Sequence, residues 1–227
     1  MEPTAAAVAQ VPQEHQFWLI KAFQEGGPVM IIILLILIAT IGIIAKRFMD
    51  FGSLLVDRKD FMDQIFGMVI RGDIRQAIAF CDARPAPLPN VIKAGLVQAM
   101  NKRPDEEVQV AMDASVLREQ PRIEGSAAYL AVTGNIAVLA GLLGTIIGMI
   151  QSFSAVAAAD PASKAEELSK GISHALNCTA FGLSVAIISI VAYGYFMQKI
   201  QRAENEILES SMSLMNLVTA NRDKIRE

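Results

Sequence analysis

Two hydroxyl groups carry the chemistry open to this sequence inside an apolar layer. Thr145 and Thr179 each lie well inside a long run without charge. A threonine in such a run either bonds to the carbonyl four residues back on its own helix or lines a polar path. Spacing alone leaves both uses open. Around Thr145 the small and polar residues Gly134, Gly141, Gly148 and Ser152 follow at intervals of seven, four, three and four once Thr145 is counted among them. At 3.6 residues per turn these positions form one stripe of a helix. A second stripe joins Thr179, Gly182, Ala186, Ser189 and Tyr193. Such stripes serve either close helix packing or the lining of a pore.

The types that are missing narrow the chemistry further. None of the three apolar runs, 28–45, 127–153 and 175–198, contains Asp, Glu, Lys or Arg. Proton relays across membranes normally use ionisable groups, which are costly there and so mark function. A titrating carboxylate would have to come from another chain. His15 and His174 have no neighbouring cysteine or second histidine, so no metal site is expected. No nucleotide-binding loop or nucleophile motif appears, so neither a cofactor nor an enzymatic activity is expected. Cys81 and Cys178 fall in a charged middle segment and inside a span, a placement that does not favour a disulfide.

The elements that must position these residues are helices. Hydrophobic residues make up 53% of the 227 residues and the mean hydropathy is +0.40, too apolar for an ordinary soluble domain. The excess is concentrated in the three runs, each long enough to cross the hydrocarbon layer when its flanks are included. An all-α integral membrane protein with three transmembrane helices follows. Residues 1–27 form an N-terminal segment in which Phe17 to Phe23 is short, amphipathic and aromatic, suited to the headgroup layer. The first span, 28–45, is almost pure Ile, Leu and Val with Thr40 inside it, and Pro28 suits a helix start. Lys46-Arg47 follows at once. There are 12 Lys and Arg between Lys46 and Ser126, against one before Pro28 and two between Ser154 and His174. Basic loops stay on the cytoplasmic side. The amino terminus is therefore expected in the periplasm, and residues 46–126 and the carboxyl terminus in the cytoplasm.

Residues 46–126 read as short helices: Asp57 to Val69, Ile74 to Ala83 after the Gly72-Asp73 turn, and Asn90 to Met100 after Arg84-Pro-Ala-Pro-Leu-Pro89. From Pro104 one long helix is expected to run to Phe153, with Pro121 a candidate kink. A periplasmic loop is expected over 154–174, then the third span, 175–198. Its helix is expected to continue through 199–227, because Ile200, Ile207, Leu214 and Val218 recur near every seventh position.

Two stretches, Gly141-Leu-Leu-Gly-Thr-Ile-Ile-Gly-Met149 and Gly171-Ile-Ser-His-Ala-Leu-Asn-Cys-Thr-Ala-Phe-Gly-Leu183, resemble the signature helices of the MotA/TolQ/ExbB proton-channel family. Gly72-Asp-Ile-Arg-Gln-Ala-Ile-Ala-Phe-Cys81 is similar to its cytoplasmic helix pair, and Gly26-Gly-Pro-Val-Met30 to its entry into the first helix. The three-span layout is that of the TolQ/ExbB branch rather than four-span MotA. The resemblance implies a homopentamer in the inner membrane whose second and third spans line a central pore. It implies a dimeric ExbD/TolR-like partner inside that pore, each copy carrying one membrane aspartate. Thr145 and Thr179 match the family's pore threonines, and Gly134, Gly141, Gly148, Ser152, Gly182 and Ser189 would face the inserted helices. Proton-motive force would turn the pentamer around the partner and so deliver work to the envelope, in TonB-type uptake, Tol-type envelope maintenance or gliding motility. Two positions depart from the pattern. Val138 stands where many members have proline, and His174 where TolQ and ExbB commonly have glutamate. At the outer mouth a histidine, with an ordinary pKa near 6.5, is either a titrating group or a plain helix end. The rival readings are a non-conducting oligomeric scaffold and a transporter of its own solute.

Overall fold

The structure, a computed structural model, describes residues 27–54 and 57–222, and every regular element among them is an α-helix. The run Phe17 to Phe23 and His15 lie outside the described residues. In chain order the helices are α1 (Gly27–Leu54), α2 (Arg58–Ile70), α3 (Ile74–Asp82), α4 (Pro87–Met100), α5 (Asp105–Glu124), α6 (Ala127–Ala158) and α7 (Lys164–Ala220). Three stretches of helix are long and apolar enough to cross a membrane, in α1, α6 and α7. The protein is therefore a multi-pass membrane protein.

The described chain divides into two compact units. The first joins residues 27–40 to residues 132–190 and holds the apolar part of each long helix. Its core is small: Val29 and Ile33 of α1, Ala137 of α6, and Val185 and Ala186 of α7. On α1 the opposite face is open, with Ile31, Ile32, Leu35 and Ile38 exposed, as expected of a helix whose solvent is lipid. Thr40 is buried and donates to the carbonyl of Ile36 at 2.8 Å, so its hydroxyl is satisfied within its own helix.

The second unit joins 41–54 and 57–131 to 191–222 and is built like a soluble domain. Asp57 caps α2 by accepting from the Lys59 amide at 3.1 Å. Gly72, with φ +83°, makes the turn into α3. Helix α4 begins at Pro87, three residues earlier than expected, because prolines in a first turn lose no intrahelical bond. Around Phe61, Ile65, Val69, Ala77, Ile92, Leu96 and Met112 the helices share one apolar core. Helix α7 contributes Ile200, Ile207, Leu214 and Val218, all buried, so the seven-residue recurrence marks its inward face. Cys81 lies in this core, where burial and, second, Asp82 push its thiol up to about 12, leaving it protonated and inert. Neither Cys81 nor Cys178 is in a disulfide among the described residues.

Two boundaries differ from the sequence expectation. The single helix expected from Pro104 to Phe153 is broken into α5 and α6 at Gly125, whose φ of +46° and ψ of −132° lie outside helical space. Pro121 sits inside α5, and its carbonyl takes the Gly125 amide at 2.9 Å as the helix ends. The second difference is the loop expected over 154–174. Helix α6 runs to Ala158 and α7 starts at Lys164, so only 159–163 lies outside helix. The flanks are rich in alanine and in residues of good helix propensity, and Asp160-Pro161 is the one strong breaker. Helix α6 passes Val138 without interruption.

Candidate functional site

Within the first unit, α6 and α7 are joined by a seam of small residues, and the two threonines are placed by it. Gly141 and Gly182 face each other with almost nothing between them. A Cβ on Gly182 would stand 2.7 Å from the carbonyl oxygen of Ala137 and 2.9 Å from the Cα of Gly141. A Cβ on Gly141 would stand 3.1 Å from the carbonyl oxygen of Cys178. Backbone meets backbone here, and only glycine permits it. Above and below this crossing the pattern continues. Gly134 lies against Ser189 and Ile190, and Gly148 against His174 and Ala175. Ser152 is buried against Gly171 and donates to the Gly148 carbonyl at 2.7 Å. Ser189 is buried and shares a 2.9 Å hydrogen bond with the Thr133 hydroxyl.

Gly134, Gly141, Gly148, Ser152, Gly182 and Ser189, which the resemblance implies would face inserted helices, form the contact between α6 and α7 within one chain. The physical reason is the lipid solvent. Apolar side chains gain nothing by leaving lipid for each other, so helices associate where small residues allow close van der Waals approach. Gly144, absent from the expected stripe, belongs to the same seam, beside Cys178 and Val29.

The threonines lie at the edge of the seam, each half-buried. Thr145 Oγ1 donates to the carbonyl of Leu142 at 2.6 Å, on its own helix. Thr179 Oγ1 donates across the seam to the Gly141 carbonyl at 3.2 Å, so it is also part of the helix–helix contact. A hydroxyl has one proton and two acceptor lone pairs. With the proton committed to a carbonyl, each threonine presents only acceptor capacity, which suits a water molecule or the O–H of a neutral carboxylic acid. Asn135 and Gln151 on α6, and Ser173 and Ser184 on α7, are exposed, with Asn177 half-buried between the last two. Ser173, Asn177 and Ser184 fall at i, i+4 and i+11, a helical face readable in the sequence but outside the stripe singled out there.

His174 is wedged rather than free at a helix end. Its ring approaches Gly27 at the start of α1 and Gly148 on α6; a Cβ on either glycine would stand 2.9 Å from a ring carbon. It borders a recess of about 530 Å³ with Gln151, Ser152, Glu167, Lys170 and Ser173. Lys170 pairs with Glu166 at 2.8 Å and Glu167 at 3.5 Å. Hydrogen bonding to Lys170 holds the exposed Glu166 carboxyl below its ordinary value, and that same contact raises Lys170. Among the described residues no group of three His, Cys, Asp or Glu could hold a metal ion.

In the second unit, sequence reasoning passed over Arg47. It is 1% exposed and donates to the carbonyls of Ile123 at 2.7 Å and of Glu124, the last residues of α5. Its guanidinium carbon stands 5.0 Å from the centroid of the Phe51 ring. The available signal was a cation directly beyond an apolar span, together with Gly125-Ser126 as a stop.

Compared with known proteins, residues 83–209, more than half of the chain, match the MotA/TolQ/ExbB proton channel family. The Tol-Pal system protein TolQ of Pseudomonas aeruginosa is 37% identical over 91 residues, 40% of this chain and 39% of that protein. The putative biopolymer transport protein ExbB-like 1 of Synechocystis is 26% identical over 195 residues, 85% of this chain and 74% of that protein. The biopolymer transport protein ExbB of Pseudomonas putida is 29% identical over 118 residues, 52% of this chain and 36% of that protein. Two of these three relatives are thus matched over less than two fifths of their own length. The chain belongs to the MotA/TolQ/ExbB proton channel family.

Proposed function

We propose that this chain is the pore-forming subunit of a proton-driven inner-membrane motor, acting as a homopentamer around a dimeric ExbD/TolR-like partner. The observation that carries the reading is the pairing of a family match across α6 and α7 with spans that hold hydroxyls and no ionisable group. A chain of this kind provides a path for protons without the titrating carboxylate, and the partner's aspartate supplies it. Thr145 and Thr179, whose protons are committed to carbonyls, accept a hydrogen bond from that aspartate when it is protonated or from the water serving it. The seam gives the two pore helices a rigid common backbone. The face presented to the partner is then the one beside the seam, with Ser173, Asn177 and Ser184 of α7 on it. The distribution of Lys and Arg supports an amino terminus in the periplasm and a carboxyl terminus in the cytoplasm.

A non-conducting scaffold is the second reading, favoured by the burial of the glycine stripe in helix packing. The two separate at Thr145, whose bond stays within its own helix. Thr145→Val is expected to leave the purified complex intact by native mass spectrometry, with unchanged copy number and partner, while abolishing proton-driven activity. Full activity in that variant refutes the pore assignment. Thr179→Val is expected to lose activity and also to weaken the α6–α7 contact slightly, since a membrane interhelical hydrogen bond is worth about 0.6 kcal/mol.

His174 is the outer-mouth group of the same proposal. If it gates by titration, activity steps with pH near neutrality and the step vanishes in His174→Gln. Glu167 and Lys170 border the same recess, so their pair is kept intact in that comparison. An unchanged pH profile removes the gate and leaves His174 as the packing wedge between Gly27 and Gly148.

A further inference from the structure

A second polar feature lies in the other unit, where the apolar run of α1 ends. Lys46, Arg47 and Asp50 of α1, Pro121 and Arg122 of α5, and Gly125 and Ser126 of the break border a recess of about 420 Å³. Three cations face one carboxylate. Two of the polar atoms there are buried and have no hydrogen-bond partner: Nε of Arg47 and Oγ of Ser126. Arg47 is almost wholly buried; its hydrogen bonds go to two backbone carbonyls, its face lies on Phe51, and the nearby Asp50 carboxylate offsets part of its charge, while Nε keeps an N–H without a hydrogen-bond partner. A buried guanidinium with an unused N–H is costly, and its neighbours leave room for an anion to satisfy it. Arg122 spends one N–H on Glu119 at 2.8 Å and is otherwise half-exposed. Lys46 is exposed at the recess edge.

We propose that this recess binds the phosphate of an acidic phospholipid, held by Lys46, Arg47, Arg122 and Ser126, on the leaflet that the basic end of α1 faces. A guanidinium and a hydroxyl side by side match a tetrahedral oxyanion, which offers several acceptors to N–H and O–H donors. Position selects a lipid over free phosphate. The recess opens directly beyond the last apolar residue of the span, Ala45, at headgroup depth. Just over a turn back into the span from Lys46, Ile41 is exposed and apolar, and acyl chains fill the space beside it. The bound headgroup would tie α1 to the α5–α6 break, because Arg47 holds the end of α5 while its remaining N–H holds the phosphate. Asp50 lowers the site's charge and sets a preference for a singly charged diester over a more highly charged phosphate.

The test uses the full purified complex in nanodiscs of phosphatidylcholine doped with spin-labelled phosphatidylglycerol. The labelled lipid is expected to be enriched at the protein over labelled phosphatidylcholine. Lys46→Gln should reduce that enrichment about fivefold, the effect of one cation near a membrane surface. Ser126→Ala should reduce it while leaving every charge in place. Equal association of the two labelled lipids with the wild-type complex overturns the proposal, and so does unchanged enrichment in both variants. Millimolar inorganic phosphate should not displace the lipid; full displacement would assign the site to free phosphate and overturn the lipid assignment. Should a variant fail to assemble, the wild type alone decides. Its thermal midpoint must be higher in phosphatidylglycerol than in phosphatidylcholine at equal lipid content, and equal midpoints refute the site.

Discussion

Gly182→Ala puts the seam to its sharpest test. The added methyl would stand 2.7 Å from the Ala137 carbonyl oxygen, 2.9 Å from the Gly141 Cα and 3.2 Å from the Gly141 amide nitrogen. All three are backbone atoms of a helix, so no rotamer relieves the contact. Ordinary carbon contacts need about 3.5–4.0 Å, so α6 and α7 must separate locally by close to 1 Å. A gap of 0.5–1 Å forfeits a quarter to a half of each contact's energy, at about 0.1–0.2 kcal/mol per atom pair. Taking roughly 20 close atom pairs along the crossing, the loss is about 0.5–2 kcal/mol. The Thr179 to Gly141 hydrogen bond, already 3.2 Å, adds about 0.6 kcal/mol when it breaks. The whole penalty is about 1–3 kcal/mol, the usual range for overpacking. Helix propensity works the other way, since alanine is favoured over glycine by about 1 kcal/mol. Gly194→Ala isolates that term, because nothing stands within 4 Å of the new methyl. Thermal unfolding of the purified complex in one detergent should therefore give a lower midpoint for Gly182→Ala and an equal or higher one for Gly194→Ala. A Gly182→Ala midpoint at or above that of Gly194→Ala would mean that the seam is not the close contact described, and the placement of Thr179 would fall with it.

Two further predictions concern the second unit. Gly125→Ala places a side chain at φ +46° and drives its methyl into the Arg47 guanidinium, displacing the group that closes α5. A loss of roughly 2–4 kcal/mol is expected, read as a lower unfolding midpoint, and wild-type stability would refute the role of the break. Glu204 has its carboxyl raised, first by burial and second by Glu124, so the folded state holds its proton more tightly than the unfolded state. That contribution is fully present below the ordinary glutamate range and is lost as pH rises through the raised value. Glu204→Gln should accordingly be slightly more stable than wild type at neutral pH. The advantage should fade on acidification, and a pH-independent difference would contradict it.

The three apolar runs, the seven-residue recurrence on α7 and the absence of membrane carboxylates were all readable residue by residue. Each follows from local composition and helical period, which need no partner to be defined. The break at Gly125 was less legible. Glycine inside a helical pattern is usually tolerated, and what makes this one a stop is Arg47, nearly eighty residues away, donating to the last α5 carbonyls. The early start of α7 was hidden by polar residues that look like a loop until Lys170 pairs with Glu166 along a helix.

What sequence by itself determined is which residues share a face: Gly134, Gly141, Gly148 and Ser152 on one helix, Gly182 and Ser189 on another. What only the tertiary structure decided is what that face meets. A pore and a tight helix contact both call for small residues in lipid, because neither can be filled by bulky side chains. Periodicity is therefore the same in both cases. Backbone approach of Ala137 and Gly141 to Gly182 brings that face into the α6–α7 contact, with Thr145 and Thr179 at its edge as hydroxyls with acceptor capacity to offer.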